Sequence, residues 1–159
     1  MTNHLSLKSY ALFAGVSDED IAFLSTLLNL KSYGDGAYLF WQDDLADRLF
    51  LIQQGAVEIL NQVPGGAQVR VAVRQEGDSI GEMALIDTHR RSASVRAIEP
   101  VTVFWLSSES LEHIRQTNKD LYICLLTNIA REISSRLSSM DTVISGSLFG
   151  CSETERLVK

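Results

Sequence analysis

Between residues 33 and 106 glycine returns again and again, at Gly34, Gly36, Gly55, Gly65, Gly66, Gly77 and Gly81, and the runs between these glycines are short and rich in β-formers. Residues 37–41, 49–53 and 56–60 read as strands, and Val63-Pro64-Gly65-Gly66 is a turn signal. Residues 68–74 alternate strictly, with Val69, Val71 and Val73 expected on one face and Arg70, Ala72 and Arg74 on the other. Ala93, Val95 and Ala97 repeat the alternation, and residues 101–106 form a last strand. Short strands at close spacing with turns between them specify an antiparallel sandwich, barrel or jelly roll.

Helical patterns flank this zone. In residues 1–32, Ser17 is placed to cap a helix with Asp20 three residues on, and Ile21, Leu24, Leu27 and Leu28 then recur at helical spacing. A shorter apolar element with Leu5, Leu7, Leu12 and Phe13 precedes it. After residue 106, Ser107 or Ser108 can cap a short helix. A longer one is expected over 118–144, with Leu121, Leu125 or Leu126, Ile129, Ile133, Leu137, Met140 and Ile144 in one stripe. The fold expected is therefore mainly β with flanking helices (α+β): one domain over 1–145, made of N-terminal helices at 1–32, an antiparallel sandwich, barrel or jelly roll at 33–106 and C-terminal helices at 107–145. Residues 146–159 read as a loose tail.

Composition narrows the function classes. The chain has 159 residues, 14 basic against 20 acidic, for a net charge of −6, which argues against a protein that binds DNA through its overall field. No apolar run approaches the ~18 residues of a membrane span, and residues 1–8 carry no secretory signal pattern. Cys124 and Cys151 make neither a disulfide framework nor a metal-binding pair, and His4, His89 and His113 are scattered. A cytoplasmic, metal-free, non-enzymatic protein is the expectation.

The segment Gly77-Asp78-Ser79-Ile80-Gly81-Glu82-Met83-Ala84-Leu85-Ile86, followed by Arg91-Ser92-Ala93-Ser94-Val95, carries the chemistry. Gly81-Glu82 opens a single helical turn at 83–86, whose first N–H groups have no internal partner and form an anion site. Gly81 leaves room for close approach to the backbone, and the Glu82 carboxylate can accept a hydrogen bond from a hydroxyl. Nine residues on, Arg91 supplies a permanently charged fork suited to phosphate, with the Ser92 hydroxyl beside it. The set suits a compact ligand with one phosphate and one ribose hydroxyl.

Gly81-Glu82-x-Ala84-Leu85 and Arg91-Ser92-Ala93-x-Val95 resemble the phosphate-binding cassette of the cyclic nucleotide-binding domain family. Tyr33-x-x-Gly36 and Ala46-Asp47-x-Leu49-Phe50-x-Ile52-x-x-Gly55-x-Val57 resemble its first strands, and the likeness runs over about residues 5–140. The resemblance implies a β-roll in which Gly81 and Glu82 meet the ribose 2′-OH and phosphate and Arg91 pairs with the cyclic phosphate. Ser92 bonds it too, and backbone N–H groups near Met83, Ala84 and Ala93 complete the cradle. It implies cAMP, ahead of cGMP, as ligand. For the base, Ile59, Val71 and Val73 are candidates on the strands, with Arg136 and Leu137 on the last helix.

Three positions depart from the family pattern. Asp43 stands where glycine is usual, and aspartate tolerates the left-handed region better than most residues. Arg74 stands at a commonly aliphatic position. One reading makes it an outward-facing strand arginine sharing a face with Arg70; the other sets it near the base, where a guanidinium favours a carbonyl such as guanine's. The loop Asp87-Thr88-His89-Arg90 lacks glycine and proline, which makes His89 and Arg90 loop charges.

The last helix is expected to pack on the roll with its first half and to pair with a second copy through its second half. About 15 residues follow Ile144, too few for a helix-turn-helix, so the chain itself is not expected to contact DNA. It reads as a sensor that signals through its last helix, or as the sensor half of a transcription regulator. The alternative is a ligand-free interaction or dimerisation module.

Overall fold

The computed structural model describes residues 4–86 and 90–156; His89 and its neighbours at 87–88, read above as a charged loop, lie outside them. The chain opens with α1 (His4–Leu7), a 3-10 turn (Ala11–Phe13) and α2 (Asp18–Leu27). Eight strands follow: β1 (Asn29–Tyr33), β2 (Tyr38–Phe40), β3 (Arg48–Gln54), β4 (Ala56–Gln62), β5 (Gln68–Gln75), β6 (Ser79–Ile80), β7 (Ser94–Ala97) and β8 (Val101–Ser107). A 3-10 turn (Glu82–Leu85) separates β6 from β7, and α3 (Ser108–Thr117) and α4 (Lys119–Arg156) close the chain. The strands make two antiparallel four-stranded sheets, in the orders β1, β8, β3, β6 and β2, β7, β4, β5. This is the expected β-roll with flanking helices.

β3 reads as an unbroken apolar run because both of its faces are covered. Leu49 and Leu51 pack with Phe104 and Leu106 of β8 against Leu24, Ile114, Leu125 and Ile129 of the helices. Phe50 and Ile52 face the other sheet and meet Val57, Ile80, Val95, Ala97 and Val103. Each such side chain taken fully out of water contributes about 1.5–3 kcal/mol. Polar contacts then fix the helices on this layer. The buried Tyr10 hydroxyl donates to the Ile52 carbonyl (2.9 Å), and burial pushes its pKa up to about 12. Asn128 of α4 donates to the carbonyls of Leu12 (2.8 Å) and Ala14 (2.9 Å), and Asn118 donates to Asp20 (2.9 Å). The caps follow the sequence: Ser17 accepts from the Asp20 N–H and Ser107 from the Ser110 N–H, both at 3.1 Å.

Three expectations need correction. The helical zone does not reach residue 32, because Asn29–Tyr33 is a strand paired along its length with β8. Its side chains are mostly exposed, so the backbone ladder holds it and no apolar pattern marks it. The last helix does not stop near residue 145 but runs through Gly146 and Gly150 to Arg156; each interior glycine costs only about 1 kcal/mol of helix propensity. The valines of β5 do not form a buried face: Val69, Val71 and Val73 are 46%, 53% and 42% exposed. β5 pairs Ile59 with Ala72 but Leu60 with Arg70, so Val71 is an extra residue. A bulge of one residue inverts the facing of everything beyond it. Arg70 therefore sits on the face of Glu58, which it hydrogen-bonds at 2.7 Å, while Arg74 pairs with Val57 on the inner face.

Asp43 takes the left-handed conformation expected of it (φ 71°), and among the described residues it is the one non-glycine with positive φ. No helix among these residues is long and apolar enough to cross a membrane.

Among the described glycines, Gly55 in the turn from β3 to β4 lies nearest to neighbouring backbone. Gly55 has φ +90°, and a Cβ there would fall on the Pro100 carbonyl oxygen and lie 2.9 Å from Val101 Cα. Gly15 has φ +75° with open space around it. Positive φ costs about 1–2 kcal/mol for an L side chain, and overpacking adds about 1–3 kcal/mol. Gly55→Ala is therefore expected to lower stability by about 2–5 kcal/mol and Gly15→Ala by only about 1–2 kcal/mol, read from urea unfolding midpoints. Equal midpoints for the two variants would show that the backbone at Pro100 yields freely.

Candidate functional site

The cassette folds around one buried guanidinium. Arg91 is 5% exposed. Its Nη2 donates to the Arg48 carbonyl (2.6 Å) and its Nη1 to the Gly81 carbonyl (3.4 Å), while its plane lies over the Phe40 ring at 4.1 Å. Its own backbone is clamped by the β2–β3 turn: Arg91 N–H donates to Asp44 O (2.7 Å), and Asp43 N–H donates to Arg91 O (2.9 Å). That turn requires the left-handed Asp43.

Gly81 is demanded twice. Its φ of 70° and ψ of 20° lie in the left-handed region, and a Cβ would come within 2.5 Å of Arg91 Nη1. Any side chain at residue 81 would push the guanidinium out of its seat.

Arg91 is a cation short of partners. Among the described residues Asp47 is its nearest ion-pairing carboxylate, at 3.8 Å, and the Asp47 carboxylate is already held by Arg48 (3.0 and 3.1 Å). Hydrogen bonding to Arg48 keeps the Asp47 pKa below the usual carboxylate value, against the effect of burial. Burial pushes the Arg91 pKa below its ordinary value, although Asp47, Asp44 and Glu82 oppose this. Its Nε is buried with no hydrogen-bond partner among the described residues. Burying an unpaired charge is expensive, and an anion delivered to this group removes that cost.

The groups surround a cavity of about 310 Å³, within the size range of small-molecule sites. Gly81, Glu82, Met83, Arg91, Ser92 and Ala93 all line it, as do Ile59, Arg74 and Arg136. Ser92 and Met83 are exposed at its edge, and Ala93 is half-buried. Ala84 belongs to the 3-10 turn Glu82–Leu85 beside it.

Val71, Val73 and Leu137, expected near the base, are not part of the wall. The bulge turns the two valines outward, and Leu137 is 56% exposed on α4. Of the two readings of Arg74, the outward one is overturned: it lines the cavity.

Phe40, Ala46, Ile80 and Val95 also line the cavity and were not foreseen. Phe40 and Val95 are register partners across β2 and β7, so strand pairing, had it been known, would have found them.

Glu82 is 6% exposed and forms an ion pair through Oε1 with Arg136 of α4. Arg136 Nη2 donates to the Ser79 carbonyl (3.2 Å), and the Ser79 hydroxyl donates to Glu132 (2.8 Å). The last helix is thus bonded to the cassette at its acidic residue, a link the sequence did not reveal because 54 residues separate the partners.

Residues 30–118, more than half of the chain, match the family model of the cyclic nucleotide-binding domain. Over 131 residues the chain is 31% identical to glutaminase 1 of Bradyrhizobium diazoefficiens, covering 82% of this chain and 21% of that one. It is 31% identical over 103 residues to the cyclic AMP receptor protein of Thermus thermophilus, covering 65% and 48%. It superposes on the regulatory domain of Toxoplasma gondii PKA, solved with cAMP, with a TM-score of 0.69, 27% identity and coverage of 81% and 48%. The chain spans about a fifth to about half of the length of these proteins. With the two-sheet roll, the Gly81-Glu82 turn and the buried Arg91 in place, the chain belongs to the cyclic nucleotide-binding domain family.

Proposed function

We propose that this chain is a cytoplasmic, non-enzymatic sensor that binds a cyclic nucleotide in the 310 Å³ cavity and reports occupancy through α4. The observation that carries the reading is the buried Arg91, with its Nε unpartnered among the described residues beside Gly81 and the turn Glu82–Leu85. In this reading the cyclic phosphate pairs with Arg91. The Ser92 hydroxyl and the backbone N–H groups of Met83, Ala84 and Ala93 complete its shell. The ribose 2′-OH donates to Glu82, whose Oε2 is the oxygen not engaged by Arg136. Ile59 lies against the base.

The helix link supports a signalling role. Ligand contact at Glu82 perturbs the carboxylate that holds Arg136, so the nucleotide has a differential interaction with α4 as well as with the roll. Farther along α4, Leu137, Met140 and Ile144 are 56%, 60% and 54% exposed. We propose a second copy of the chain as the group that covers this stripe.

Calorimetry with cAMP and cGMP tests the reading, and silence with both would favour a ligand-free interaction module. Arg91→Ala is expected to weaken binding by about 30-fold to several thousand-fold, the equivalent of ~2–5 kcal/mol for breaking a buried charge pair. Wild-type affinity in that variant, with its fold intact by circular dichroism, would remove Arg91 from the site. The 2′-deoxy analogue is expected to bind about 10- to 150-fold more weakly than its parent, since a hydrogen bond to a charged group contributes ~1.5–3 kcal/mol. That discrimination should vanish in Glu82→Ala; equal affinity of wild type for the two ligands would exclude the ribose role. Amide hydrogen exchange with saturating nucleotide should raise protection in residues 81–95 and change it across residues 125–140. A change confined to the cassette would show that α4 does not report the ligand.

A further inference from the structure

The cavity holds more positive charge than a cyclic phosphate accounts for. Arg91 is the phosphate partner in the reading above, Arg136 is paired with Glu82, and Arg90 donates to the Asp43 carbonyl at 2.8 Å. On the opposite face of the sheet, Arg70 and Arg96 share the two oxygens of the buried Glu58. Arg74 has no such partner. The bulge at Val71 places it opposite Val57 on the inner face, where it is half-buried and lines the cavity with Ile59. Among the described residues no carboxylate lies within ion-pair distance of it, and its hydrogen bond goes to the carbonyl of its own neighbour, Val73 (3.1 Å).

Resting on the cyclic-nucleotide reading, we propose that Arg74 is the base-selecting residue and that the base it selects is a 6-oxopurine, guanine rather than adenine. A guanidinium presents only donors, five in a fixed fork. Guanine offers two adjacent acceptors, O6 and N7, on one edge. Adenine offers N7 beside the N6 amino group, itself a donor. Against guanine the Arg74 fork is satisfied twice; against adenine it meets a donor and loses half of its bonding in a half-buried site. This reverses the order of cAMP and cGMP expected from the sequence.

The test is competitive binding of cGMP, cIMP and cAMP to the wild-type chain and to Arg74→Leu. cIMP carries O6 and N7 but lacks the guanine 2-amino group, so it isolates the edge that Arg74 reads. Wild type should bind cGMP and cIMP about 10- to 100-fold more tightly than cAMP. In Arg74→Leu all three affinities should fall within about threefold of one another, with cAMP still bound. Equal or tighter binding of cAMP by the wild type overturns the base assignment and leaves the cyclic-nucleotide reading standing. So does a cGMP preference that survives in Arg74→Leu. Failure of all three to bind the wild type removes both. If Arg74→Leu does not fold, Arg74→Met takes its place, and the wild-type ranking of the three nucleotides decides by itself.

Discussion

Most of this site follows from burying one guanidinium. A fully buried arginine cannot shed its charge, so the chain must surround it with acceptors and a ring face. The carbonyls of Arg48 and Gly81 and the ring of Phe40 do this. Each partner imposes a further condition. Gly81 must lack a side chain, Asp43 must take a left-handed turn to return its N–H to the Arg91 carbonyl, and β2 must bring Phe40 beneath the guanidinium. The turn Glu82–Leu85 begins where it does because Gly81 is held in this way.

The same core ties the cassette to the last helix. Leu125 and Ile129 anchor α4 among the apolar side chains of β3 and β8, and Asn128 bonds it to the first 3-10 turn. One and two turns beyond that anchor, Glu132 and Arg136 reach Ser79 and Glu82. The anchoring is mainly apolar and insensitive to a small polar ligand, whereas the contacts at Ser79 and Glu82 are electrostatic and adjoin the cavity. The helix is thus held by apolar packing at one level and by polar contacts at the next.

The cassette was legible because its chemistry is local. Gly81, Glu82, Arg91 and Ser92 lie within a dozen residues, and each has a residue type that the local backbone or charge requires. The helix caps at Ser17 and Ser107 were legible for the same reason. Strand β1 was not, because its exposed side chains carry no pattern and only the pairing with β8 makes it a strand. Nor was the wall contributed by Phe40 and Val95, which are neighbours only across two strands.

The sequence by itself determined the class of fold, the Gly81-Glu82 turn and the cation beside it, since glycine conformation, apolar periodicity and fixed charge are properties of short segments. Tertiary structure decided which way β5 faces. One unpaired residue at Val71 put Arg70 and Arg74 on opposite faces, with Arg74 opposite Val57 at the cavity, and alternation alone carries no record of a bulge. It also decided the ion pair between Glu82 and Arg136, because the distance between two elements depends on how both pack against a shared core and not on either one alone.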